Sequence, residues 1–128
     1  MREMIFTGKP WESRVFWGLG VVAAGKFLYS SGITARDPEG NVVGVGDMRV
    51  QITQAFNNLG DVLRVAGVGF DRVIKFTMYT TDIEAFMKEA EVWQRHFIQR
   101  PASTLVEVRR LVHPEMLVEI EAIAEIPE

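Results

Sequence analysis

The sequence predicts an α+β domain: a mixed β-sheet with two helices packed on one of its faces. Three features of the chain predict it. Asp47 to Ala66 repeats apolar residues at the spacing of one helical face. Asp71 to Leu111 reads strand, helix, strand, which predicts a right-handed crossover and a parallel pair. The final strand, Met116 to Ile126, alternates so that Val118, Ile120, Ala122 and Ala124 share one face, suited to helix packing. The 128 residues are expected to form a single domain spanning 1–128.

In chain order, the longest uncharged run is Val15 to Gly25, "VFWGLGVVAAG". It falls far short of the ~20 residues a membrane helix needs and reads as a buried strand over Val15 to Ala24. A turn at Gly25-Lys26 leads to "FLYSSG", a short strand ending at Gly32, and "RDPEGN" is a turn by composition. Asp47 caps the start of the first helix and Gly67 its end. In Asp71 to Thr80, Ile74, Phe76 and Met78 fall on one face and Val73, Lys75, Thr77 and Tyr79 on the other. "TDIE" (Thr81 to Glu84) has capping-box spacing and opens a second helix carrying Phe86, Ala90, Trp93 and Phe97 on one face. Pro101 stops that helix, and Thr104 to Leu111 follows as a strand.

Composition narrows the chemistry. With no cysteine, disulfides, thiolate catalysis and thiolate metal sites are excluded, and a cytoplasmic location fits. A net charge of −3 makes nucleic acid a poor default partner. "MREMIFTGKPWESR" has charges throughout and does not read as a signal peptide, so no membrane association is expected. His96 and His113 are seventeen residues apart and offer no metal-site spacing. "WGLGVVAAG" and "VGVGD" lack the residues of a phosphate loop and read as turns and bulges.

Two helices cover one face of the sheet. The other face is expected to carry Val73, Tyr79, Leu105, Leu117 and Ile123 among Glu, Lys, Arg and Thr. An apolar patch that large usually marks an interface, which predicts self-association with ligand pockets between subunits.

The segments "LYSSG" (Leu28 to Gly32), "DPEGNVVGVGDMRVQITQAFNNLGDVLRVAG" (Asp37 to Gly67), "DRVIKFTMYTTDIEAF" (Asp71 to Phe86), "RPASTLVEV" (Arg100 to Val108) and "LVEIEAIA" (Leu117 to Ala124) together resemble the RidA/YjgF family of reactive-intermediate deaminases. The resemblance implies a chorismate-mutase-like fold and a homotrimer with a central barrel and three clefts between subunits. It also implies hydrolysis of enamine or imine acids to keto acids and ammonia, with no metal or organic cofactor. In deaminase members the motif after the proline reads Pro-Ala-Arg-Ser, and its arginine clamps the substrate carboxylate in a planar fork. Here Ser103 stands in that place, and a hydroxyl cannot replace a guanidinium. Leu105 replaces a residue that is often cysteine, Ala90 one that is asparagine in some active members, and the cleft tyrosine expected near Trp17 or Gly18 is absent.

The resemblance retains Glu119, matched to the family's cleft glutamate, and Ser31. Glu119 is therefore the candidate to position or deprotonate a water, with Ser103 as its catalytic partner. Ser31, Trp17, Thr104, Leu105 and Lys75 are the candidate substrate-binding residues; Lys75 and Arg14 are the cations considered as stand-ins for the arginine. Arg109 lies six residues past Ser103, about 20 Å along the strand, and is too far. Three functions are weighed: an enamine or imine deaminase, a metabolite-binding or regulatory trimer, and an endoribonuclease, the last disfavoured by the acidic balance.

Overall fold

The structure, a computed structural model, describes residues 2–127; the first and last positions of the expected domain lie outside the described residues. The strands are β1 (Arg2–Ile5), β2 (Gly20–Ala23), β3 (Lys26–Tyr29), β4 (Val73–Thr80), β5 (Ala102–Glu107) and β6 (Val118–Ile126). The helices are α1 (Met48–Val65), α2 (Ile83–Lys88) and α3 (Ala90–Gln94), with single 3-10 turns at Pro10–Arg14 and Phe70–Arg72. Strands β3-β6-β4-β5 form the main sheet in that order, antiparallel except for the parallel β4–β5 pair that closes the expected strand–helix–strand unit.

The core lies between this sheet and the helices. Ile52, Ala55, Phe56, Leu59 and Leu63 of α1, with Phe86 and Trp93 of α2 and α3, pack against Phe76 and Met78 of β4 and Val118, Ile120, Ala122 and Ala124 of β6. Asp47 caps α1 through a 3.1 Å bond from the Val50 amide, and Gly67 follows its end at φ 85°, a region open to glycine at no steric cost.

Four expectations need correction. Val15 to Ala24 is not one strand: only Gly20–Ala23 is extended, and it pairs with β1, which the pattern did not reveal, as a separate two-stranded sheet. The helix after Thr81 breaks at Glu89 into α2 and α3, and its cap is Asp82, whose carboxylate accepts from the Ala85 amide at 3.0 Å. Val73 is not on the open face, because a register shift between Val73 and Lys75 turns it into the core beside Ala124. Leu105 is not there either; it pairs with Met78 and packs against the core on the helix side.

Candidate functional site

The parallel register of β5 on β4 decides what each residue of "PASTLVE" faces. Ser103 lies beside Phe76 and Leu105 beside Met78, so both look to the helix side; Thr104 lies beside Thr77 and Val106 beside Tyr79, so both look to the open side. The candidate residues therefore divide between two sites.

On the helix side, Ser103 and Leu105 join Phe16, Trp17, Met78, Met87 and Trp93 around a pocket of about 190 Å3. Trp17 reaches it because Phe16, next to it, is anchored by edge contacts to Trp93 and Phe97, with centroids 5.5 and 4.9 Å apart. Arg100 fixes the same loop. One of its terminal nitrogens donates to the carbonyls of Val15 at 2.6 Å, Glu12 at 2.9 Å and Trp17 at 3.4 Å, while the guanidinium lies 4.4 Å over the Phe6 ring. The Gly18 amide closes the loop onto the Arg100 carbonyl at 2.8 Å. Its Nε is buried without a partner, and Arg100 lines the neighbouring cavity at Phe6 and Pro10, not this pocket.

On the open side, Lys75 donates to the Thr104 hydroxyl at 2.7 Å, and burial lowers its pKa. Lys75 also borders a second cavity, of about 210 Å3, with Tyr29, Ser30, Thr77 and Glu121. Tyr79 donates to Glu121 at 2.8 Å; that bond, burial and the charges of Glu121 and Glu119 raise its pKa. Within one chain, Lys75 thus lies across the sheet from Ser103.

Glu119 pairs with Tyr79 on the open face. Its carboxylate is seated against Gly32: a Cβ at that glycine would lie 2.0 Å from Oε2. The segment is held to β6 by Ile33, which exchanges two backbone bonds with Ile120, and by Ser30. The Ser30 hydroxyl accepts from the Ala122 amide and donates to the Ser31 carbonyl. Ser31 itself is exposed beside Glu119's glycine. Phe16, weighed with Trp17 as an aromatic lid, lines the pocket, while Ser30, Gly32, Met78 and Met87 were missed as site residues; a glycine, two methionines and one serine among many carry no chemical signal until the fold shows what they border.

Glu119 and Ser103 face opposite sides of the sheet. Two strand spacings and three residues separate their backbones by roughly 14 Å. One small ligand cannot touch both within a single chain. Among the described residues, no group of three His, Asp or Glu converges as a metal site would require, and no helix is long and apolar enough to cross a membrane.

An antiparallel-rich sheet under one layer of helices, with a carboxylate on its open face and a pocket at the edge strand, defines a small α+β domain. Residues 16–126 match the family model described as endoribonuclease L-PSP. A RutC family protein of Pyrococcus horikoshii is 38% identical over 131 residues, covering 97% of this chain and 98% of its own. The 2-iminobutanoate/2-iminopropanoate deaminase of Homo sapiens is 31% identical over 104 residues, covering 80% and 75%. Among solved structures, the conserved Rid family protein YyfB of Yersinia pestis matches with a TM-score of 0.84 at 28% identity, over 96% of this chain and 97% of that one. The chain belongs to the RidA/YjgF family.

Proposed function

We propose that this protein is a cofactor-independent imine or enamine deaminase whose cleft forms between copies of the chain in a homotrimer. The observation that carries the reading is the carboxylate of Glu119 seated at Gly32 on the uncovered face, away from the Trp17–Ser103 pocket. In the proposed trimer, copies meeting through their open faces bring Glu119 of one to the β5 edge of the next. The open face suits such a contact: Tyr29 is 69% exposed on it and Val106 38%. The similarity to the human deaminase supports the chemistry.

In that cleft, Glu119 accepts a proton from water as its oxygen adds to the imine carbon. Proton transfer to nitrogen then breaks the carbon–nitrogen bond, giving a ketone and ammonia. The sum is imine plus water, with no change of oxidation state; an enamine first tautomerises to the imine. Ser31, beside Glu119, and the partner subunit's Ser103 orient the ligand by hydroxyl bonds.

The test is ammonia release from freshly generated imines. Glu119→Gln is expected to lower kcat about 100-fold or more, the usual share of a general base. No release above buffer from any imine, at high protein concentration, overturns the reading. Ser103 in place of an arginine also favours a second reading, a trimer that binds a metabolite without consuming it. Metabolites that raise the melting temperature and are recovered unchanged would support it. Endoribonuclease action draws no support from an open face on which Glu119 and Glu121 outnumber Lys75, Glu125 being paired with Arg2.

A further inference from the structure

We infer that the Trp17–Ser103 pocket receives an aromatic or branched-aliphatic substituent of the substrate, not its carboxylate. This rests on the deaminase reading and names the substrate class. None of the residues lining the pocket is charged, and Ser103 supplies the one hydroxyl. The indole nitrogen of Trp93 is already committed, donating to the Phe86 carbonyl at 3.1 Å. Arg100 is not among the lining residues, and in the same chain Lys75 lies across the sheet. A carboxylate placed here would lose its water and gain no cation, which is strongly unfavourable.

The volume fits the same assignment. An apolar cavity of about 150 Å3 holds a benzene ring, and this one measures about 190 Å3. Met78 and Met87 give the wall adaptable thioethers that pack well on rings, and the two tryptophans give flat surfaces. A two- or three-carbon imino acid would leave most of this wall unfilled.

The experiment generates imines in place from phenylalanine, leucine and 2-aminobutanoate with an amino-acid oxidase and catalase. Each is scored by competition with semicarbazide. The expected result is a kcat/KM at least about tenfold higher for the phenylalanine or leucine product than for 2-iminobutanoate, the discrimination about one methylene supplies in an apolar pocket. Met87→Lys, at a half-exposed position on the rim, is expected to erase the preference without disturbing the core. Leu105→Asp, deeper in the wall, is expected to do the same. An equal or higher rate with 2-iminobutanoate overturns the inference and leaves the deaminase reading standing. If no imine is turned over, that reading falls instead, and binding decides the pocket. Fluorescence of Trp17 and Trp93 is then titrated with 3-phenylpropanamide and with propanoate. Tighter binding of the amide by about tenfold upholds the inference, and equal or tighter binding of propanoate overturns it.

Discussion

Gly32 shows how much a missing side chain can decide. Glu119 occupies the space that a methyl group there would fill, and the first atom met is the end of a flexible side chain rather than backbone. Gly32→Ala is therefore expected to push the carboxylate aside and lower kcat about tenfold or more, with the melting temperature nearly unchanged. A fully active alanine variant would mean that the seat of Glu119 is irrelevant to turnover. His96 makes a contrasting case. It stacks on Phe56 with centroids 4.4 Å apart, and its Nδ1 is buried without a partner. Burial first, and the charge of Arg95 second, lower its pKa from 6.5 to about 4. Because the unfolded chain takes up this proton more readily, stability is intact above pH 6.5 and declines as pH falls toward 4. His96→Phe is expected to flatten melting temperature against pH over that window. Glu12 adds to acid sensitivity lower down. Burial alone would raise its pKa, but bonds from the Thr7 hydroxyl and the amides of Thr7, Lys9 and Gly8 outweigh it and lower the value. Its contribution is present above the ordinary carboxylate range and lost as pH falls through the lowered pKa.

At the scale of elements, α2 is a short helix held mainly by its ends. Asp82 caps it, and Glu107 of β5 accepts from the Ile83 amide at 3.0 Å. Asp82→Ala is expected to cost about 1 kcal/mol in a denaturant titration and to loosen the pocket wall at Met87. The α1 boundaries, the parallel β4–β5 pair and the helix-facing side of β6 were all legible, because long periodic segments announce their buried face. What was not legible depends on distant partners. The strand β1 pairs with β2 and is tied down by Arg2, which reaches Glu125 at 2.8 Å and the Asp71 and Val73 carbonyls at 3.2 Å, contacts invisible along the chain. The register shift at Val73 changed the face of one residue, and β5 beginning at Ala102 set the faces of Ser103 and Leu105. Of the candidate site, Glu119 and Ser103 could be named from the resemblance; that they point to opposite faces could not.

For the whole molecule, the proposed cleft exists only between copies. Ile123 sits on the open face of the central strand β6, beside Lys75. Ile123→Glu is expected to shift sedimentation from three chains toward one and to abolish ammonia release, while the far-ultraviolet circular dichroism is retained. A dissociated variant with full activity would place the chemistry inside a single chain and refute the shared cleft. Ser103→Arg is the complementary change: the trimer is expected to persist, and hydrolysis of 2-iminobutanoate to rise, because a bidentate carboxylate clamp is restored.

The alternation of β5 has a further result. Ser103 and Leu105 meet the ligand pocket, while Thr104 and Val106, one step away, belong to the surface proposed to join copies. On these two proposals, selectivity and quaternary structure are written in alternate letters of one short word, and a lineage can revise either without rewriting the other.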